Sequence, residues 1–283
     1  MDTPQSGQPD EPPYRSFEDL QRDGVRVLFS PAAQRLFWPL DGVFPAAIYV
    51  MKTPRSADDL EPFFQPNAAG DGSGIWHEIS QLPLTEPKVS SVEASVRDLE
   101  QWEYDWIAWH SWHKDHNMEG QPQFGQEFVT YGNLDDDVRP YADDANEEDG
   151  SWEEDSDTEF LIRCCGEDRP LRKRGQKLAV TPSAGSESFV TVQDYVSAVH
   201  PWLMSLRGDI LSAKTVARPQ QYPAPASMKW MVKAGLDRGP EPMIEEKKYW
   251  VRKHGGGQPR VVSTAEATSN ARILERIRAM RNR

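Results

Sequence analysis

The chain has 283 residues, a formal net charge of −13 at pH 7 and 37% hydrophobic residues. This length suits one large domain or two modest ones, and ten tryptophans, ten phenylalanines and eight tyrosines supply large side chains for a core. The composition excludes wholesale disorder. The sequence also lacks a run of ~20 apolar residues, so we expect no membrane span and no membrane partner.

The start of the chain and its cysteines indicate the compartment. Residues 1–4 show neither the basic start nor the apolar run of a secretory signal. Cys164 and Cys165 are adjacent and cannot form a disulfide framework. We therefore expect a protein of the cytoplasm or nucleus. In a strand, adjacent side chains point to opposite faces, so one cysteine should be buried and inert.

In chain order, residues 1–15 are rich in proline and polar residues and predict a disordered arm. A single globular domain is expected over 16–262. The capping pattern at Ser90-Ser91-Val92-Glu93 predicts a long amphipathic helix near 91–116. Its apolar stripe, which we expect to be core, contains the tryptophans Trp102, Trp106, Trp109 and Trp112.

The helix is followed by a strongly acidic insert over residues 134–159. It holds eight Asp, five Glu and one Arg, a net charge of −12, and we expect it to be disordered. Such a run can shield basic patches of the same molecule or attract a basic partner. The candidate partner-binding residues in it are Asp135, Asp136, Asp137, Glu147, Glu148, Glu153 and Glu154.

A second long amphipathic helix is predicted near 191–212. It opens with a capping box at Thr191–Asp194, and Pro201 should kink or divide it. Residues 263–283 predict a basic C-terminal helix, in which Arg272 and Arg276 are candidate contacts to a partner or to nucleic acid. Shorter apolar patterns predict the strands of a small sheet at 25–29, 43–52, 159–164, 177–182 and 243–251.

Two segments carry a resemblance to known sequences. Residues 189–211, FVTVQDYVSAVHPWLMSLRGDIL, and residues 25–38 resemble an uncharacterised family of predicted proteins from filamentous fungi. That family has no assigned activity, so the resemblance implies a lineage and transfers no catalytic residue.

Three histidines on the first helix form the best candidate for chemistry. His110, His113 and His116 are spaced at i, i+3 and i+6, so neighbouring pairs can share a divalent metal ion. A metal site also needs a ligand from another element, for which His77 or His200 is the candidate. Polar histidines at the negative end of a helix dipole explain the same pattern without a metal.

Together these patterns predict an α+β fold with two long amphipathic helices packed on a small, mainly antiparallel sheet. We expect a non-catalytic interaction protein that attracts its partner through the acidic insert and recognises it through an aromatic or helical surface. The first alternative is an enzyme or metal-dependent binding protein with a histidine site around 110–116. The second is nucleic-acid binding through the C-terminal helix.

Overall fold

A computed structural model describes residues 14–67, 72–114, 124–130, 133–134, 159–171, 176–183, 188–216, 228–234 and 242–255. These ranges contain five α-helices: α1 Phe17–Arg22, α2 Arg97–Lys114, α3 Val192–Ser205, α4 Arg207–Val216 and α5 Lys247–His254. Two 3₁₀ turns span Ala33–Arg35 and Glu78–Gln81.

The same ranges contain fourteen short strands. In chain order they are β1 Leu28–Phe29, β2 Leu36–Pro39, β3 Tyr49–Met51, β4 Leu60–Pro62, β5 Phe64–Pro66, β6 Gly74–Trp76, β7 Thr85–Glu86, β8 Val92–Ser95, β9 Glu127–Thr130, β10 Glu159–Cys164, β11 Glu167–Asp168, β12 Lys177–Val180, β13 Trp230–Ala234 and β14 Pro242–Glu246.

The strands form five separate sheets within the described ranges, and every strand pair is antiparallel. The largest sheet has the order β14-β13-β2-β3-β4. A three-stranded sheet has the order β11-β10-β9, and three two-stranded sheets pair β1 with β7, β8 with β12 and β5 with β6.

The predicted fold class is wrong, because the described strands form five separate sheets instead of one small sheet, and the two long helices expected to pack on it are not found in the described residues. The sequence predicts one helix over 91–116, whereas Val92–Ser95 forms β8 against β12 and the helix begins at Arg97. The backbone N–H of Glu93 donates to the Glu18 carboxylate of α1 at 2.8 Å instead of closing a capping box.

The second predicted helix, over 191–212, is interrupted. Its capping box at Thr191 and Asp194 is confirmed, since each side chain accepts from the other residue's backbone N–H. Pro201 lies inside α3, and the break comes later, at Leu206, which separates α3 from α4. The chain is therefore built from shorter helices among several small sheets.

The five-stranded sheet is covered on both faces, because side chains alternate along a strand. On β2, Leu36 and Trp38 join the main hydrophobic core, whereas Phe37 faces the other way and packs edge-on against Trp250 of α5, with ring centroids 5.1 Å apart. Neighbouring strands repeat the alternation, with Val50 and Val232 in the main core and Met51 and Met231 beside α5.

A buried ion pair fixes the three-stranded sheet against α2. Arg169, just after β11, contacts Glu103 of α2 with an N···O distance of 2.7 Å, and the two side chains are only 8% and 3% exposed. The guanidinium also lies 3.7 Å from the ring centroid of Phe160 on β10. This contact sets the hairpin β10–β11 beside the middle of α2.

Candidate metal centre

Helix α2 supplies two histidines to a common site. His110 and His113 are three residues apart, so both rings project from one side of the helix, with centroids 5.5 Å apart. Trp106, one turn earlier, is fully buried and packs against His110 with ring centroids 4.3 Å apart and the rings tilted by 45°. His113 stacks on Phe124 at 4.3 Å. The packing therefore holds each ring in a fixed orientation.

The hairpin between β10 and β11 supplies two thiols. Its register pairs Cys164 with Glu167, so the loop consists of Cys165 and Gly166, with φ angles of 55° and 79°. Two positive φ angles are typical of a type I′ turn, in which a non-glycine residue such as Cys165 is strained. Because Cys165 leaves the extended conformation, its side chain no longer points away from that of Cys164.

Both sulfur atoms consequently face the same histidine. The Sγ atoms of Cys164 and Cys165 lie 3.3 Å and 3.4 Å from Nδ1 of His113 and 3.9 Å from each other. One of the two cysteines is buried, as predicted, but the expectation that the side chains point to opposite faces is wrong. Together with His110, their ligand atoms all lie within 4.8 Å of one another.

These separations match the edges of a tetrahedral metal site. With Zn–S bonds of ~2.3 Å and Zn–N bonds of ~2.0–2.1 Å, tetrahedral geometry places two sulfurs about 3.8 Å apart and a sulfur and a nitrogen about 3.6 Å apart. The corresponding distances to His113 and between the thiols, 3.3–3.9 Å, lie within about 0.3 Å of these values. The donor atoms of His113, Cys164 and Cys165 are thus spaced like three corners of a zinc tetrahedron.

His110 has no hydrogen-bond partner although it is 1% exposed. Neither ring nitrogen makes a hydrogen bond, which is costly for a buried polar group. The nearest charge is the Glu167 carboxylate, 3.6 Å from Nε2. Because the Glu167 carboxylate faces Nε2, Nδ1 is the His110 nitrogen that could bind an ion. A carboxylate, a histidine and a metal ion in this order are a common arrangement in metalloproteins.

Without an ion, burial keeps two groups of the site uncharged. Burial lowers the pKa of His110, partly offset by the Glu167 carboxylate, and burial raises the pKa of the Cys164 thiol to about 12. Both shifts favour the neutral forms, so the site by itself lacks the positive charge that would stabilise a thiolate. A bound divalent cation supplies that charge.

The structure brings together only part of the histidine site that the sequence predicts. His110 and His113 meet, whereas His116 lies outside the described residues. His77 caps the 3₁₀ turn Glu78–Gln81 and contacts Glu61 at 3.0 Å. His200 accepts a hydrogen bond at Nδ1 from Trp38 and contacts the Gly42 carbonyl through Nε2. Neither His77 nor His200 belongs to the cluster.

The other two ligands of the cluster are Cys164 and Cys165, which the helical spacing of the histidines does not indicate. The available signal was the order Cys-Cys-Gly at the end of a predicted strand, because a glycine there favours a tight turn that can redirect the preceding side chain. In the ranges that can be described, this is the one group of three or more histidine, cysteine or carboxylate ligands close enough to hold a metal ion.

Other predicted site residues are not placed by the structure. The acidic candidates between 135 and 154, and Arg272 and Arg276, lie outside the described residues. So do the predicted arm, apart from its last two residues, and the C-terminal helix over 263–283. Of the tryptophan stripe, Trp102 and Trp106 are core residues as expected, whereas Trp109 is 38% exposed.

Among the described helices, none has both the length and the apolar character needed to cross a membrane.

Comparison with known proteins finds no matching family model, no similar curated protein and no similar solved structure. The resemblance of residues 25–38 and 189–211 to fungal proteins therefore stays a prediction. The function has to be argued from the site.

Proposed function

We propose that this protein binds one zinc ion through His110, His113, Cys164 and Cys165, and that the ion has a structural role. The observation that carries the proposal is the convergence of four donor atoms within 4.8 Å of one another. His110 supports it, because this histidine is buried in the same cluster and neither of its ring nitrogens makes a hydrogen bond.

The donor set favours zinc over harder cations. Two thiols and two imidazoles suit Zn²⁺, whereas Mg²⁺ and Ca²⁺ require oxygen ligands. Four protein ligands complete a tetrahedron and leave no open position for a substrate or an activated water, which is typical of structural sites. Cys165 is exposed, so a solvent path for the ion reaches the site.

The ion would tie the β9–β10–β11 sheet to α2 at a second point, beside the Glu103–Arg169 ion pair. Thr130 at the end of β9 pairs with Glu159 at the start of β10, and the acidic insert connects these two residues. Cys164 lies at the other end of β10 from Glu159, so zinc would stabilise the sheet that carries the insert rather than the base of the insert itself. We propose that the insert attracts a basic protein partner in the cytoplasm or nucleus, so that the chain acts as a metal-dependent interaction protein.

Metal analysis tests the zinc site directly. Full-length protein produced with zinc present should retain about one zinc ion per chain. After chelation, titration with Co²⁺ should give the intense visible absorption of tetrahedral cobalt and the charge-transfer band of cobalt–thiolate bonds. The variant His113→Ala should bind at least about tenfold more weakly, whereas His77→Ala, which removes a histidine outside the cluster, should bind normally.

Circular dichroism of each variant confirms that it folds. Absence of retained zinc together with absence of a thiolate–cobalt band in the folded wild-type protein would reject the site. Equal zinc affinity of His113→Ala and His77→Ala would reject the ligand assignment.

The interaction role needs its own experiment. A lysine-rich synthetic peptide, followed by fluorescence anisotropy, should bind the zinc-loaded chain with strong salt dependence and bind more weakly after zinc removal. Neutralising the seven acidic candidates of the insert should abolish binding. Equal peptide affinity with and without zinc would show that the interaction does not depend on the metal. The proposal of a zinc site would not be affected by that result.

A further inference from the structure

A pocket of about 480 Å³ opens at the end of α5, remote in sequence from the metal ligands. Its walls come from the 3₁₀ turn Ala33–Arg35, the loop after β3, strand β13 and the last turn of α5. The volume lies in the range of small-molecule sites, ~300–1,000 Å³. Because α5 covers the second face of the five-stranded sheet, the pocket rests on rigid elements.

Three basic side chains line this pocket: Arg55, Lys233 and Lys253. No lining residue is acidic. Lys253 pairs with Glu245 on β14, whereas neither Arg55 nor Lys233 has a carboxylate partner within the described part of the chain. With Glu245 counted, the three cations leave an excess of two positive charges at the pocket. Cations gathered from three different elements, with only Lys253 paired to a carboxylate among the described residues, are an arrangement that suits a multiply charged anion.

The end of α5 does not oppose an anion as strongly as a bare helix C-terminus would. The Trp250 carbonyl accepts a hydrogen bond from Nδ1 of His254 at 2.8 Å, and the Val251 carbonyl accepts one from the Gly255 N–H. Since the carbonyl can only accept, Nδ1 of His254 carries a proton. The imidazole stacks on the Trp250 ring at 4.0 Å, so the wall of the pocket is a fixed aromatic surface.

We propose that this pocket binds a small phosphorylated molecule, whose phosphate is held by Arg55 and Lys233 with Lys253 beside them. A guanidinium binds two phosphate oxygens at once, and an ammonium adds a point charge from another direction. Pro54 and the half-buried His254 imidazole, which lie over the buried Leu36 and Trp250, offer an apolar surface to the organic part of the ligand. The site is independent of the zinc ligands.

Ligand-observed ³¹P NMR with phenyl phosphate tests the proposal on the full-length protein at constant ionic strength. We expect saturable binding that weakens at least about tenfold in the double variant Arg55→Gln/Lys233→Gln, because two charge-assisted contacts are lost. The control variant Arg26→Gln removes one positive charge from an exposed position that does not line the pocket, and it should bind as the wild type does.

A second arm compares benzoate, which carries a single negative charge on the same ring, by ligand-observed ¹H NMR. Benzoate should bind at least about tenfold more weakly than phenyl phosphate. Non-saturable binding, equal binding by the double variant, or benzoate binding as tight as that of phenyl phosphate would each overturn the proposal. The thermal transition of each variant verifies folding.

Discussion

Substituting Arg169 with methionine should destabilise the protein more than the loss of an ordinary ion pair. The guanidinium of Arg169 donates through Nε to Oε1 of Glu103 at 2.9 Å, and its Nη2 atom lies 2.7 Å from the same oxygen. Both side chains are almost fully buried. The variant Arg169→Met keeps much of the side-chain volume but leaves the Glu103 carboxylate in the interior without the guanidinium.

Removing one member of a buried ion pair costs about 3–5 kcal/mol, because the remaining charge stays desolvated. For a domain of this size each kcal/mol lowers the melting temperature by ~2–4 °C, so Arg169→Met should melt about 6–20 °C below the wild type. The pair Lys177–Glu93 provides a matched control at 56% and 35% exposure. The variant Lys177→Met should lower the stability much less, because solvent screens an exposed ion pair.

Urea unfolding, monitored by tryptophan fluorescence and by far-ultraviolet circular dichroism, measures these differences. The double variant Glu103→Leu/Arg169→Met should recover most of the loss, because it removes both buried charges together. A cost of Arg169→Met no larger than that of Lys177→Met would refute the reasoning. So would a double variant that is less stable than Arg169→Met.

Three further predictions concern the histidines and the hairpin. Burial lowers the pKa of His200 in the folded protein below the ordinary histidine value of 6.5. Below that pH the unfolded chain binds a proton at this histidine while the folded chain does not, so the free energy of unfolding should fall as the pH drops. In His200→Gln, whose amide can still accept from Trp38, a pH series of urea titrations should show a shallower fall, and an unchanged slope would contradict the assignment. Glu167→Gln should weaken zinc binding about tenfold, because the Glu167 carboxylate orients His110. Competition with a chromophoric chelator measures the zinc affinity, and a variant that binds zinc as tightly as the wild type would exclude an orienting role for Glu167. Cys165→Gly should stabilise the chelator-treated protein by about 1 kcal/mol, because glycine adopts the positive φ of this position without strain. The same variant should bind zinc more weakly, because it loses one thiol ligand. Thermal melts and zinc titrations measure the two effects, and a rise or a fall in both stability and zinc affinity would contradict this assignment.

Local chemistry made part of this structure predictable. The capping box at Thr191 involves residues three apart, so the sequence alone carries the signal. The i, i+3 spacing of His110 and His113 is equally local. By contrast, residues 90–93 carry the Ser-Ser-Val-Glu pattern that caps helices, and only the pairing of Val92–Ser95 with Lys177–Val180 makes this segment a strand.

The cysteine ligands were not predictable by the same means. Cys164 is separated from His113 by the acidic insert, so no sequence spacing relates them. Their meeting depends on the left-handed conformation of Cys165 and on the Glu103–Arg169 contact, which are tertiary features. Short strands of two to six residues likewise carry too little alternation for periodicity to reveal five sheets.

The central position of β2 in the five-stranded sheet has a consequence during synthesis of the chain. One edge of β2 pairs with β3 soon after it emerges, but its other edge pairs with β13, about two hundred residues later, through Trp38 and Val232. Until that segment leaves the ribosome, β2 presents an unpaired apolar edge, which is a template for aggregation. We therefore expect nascent chains that end before residue 228 to aggregate more readily than the 283-residue chain, because the five-stranded sheet forms only after most of the protein has been made.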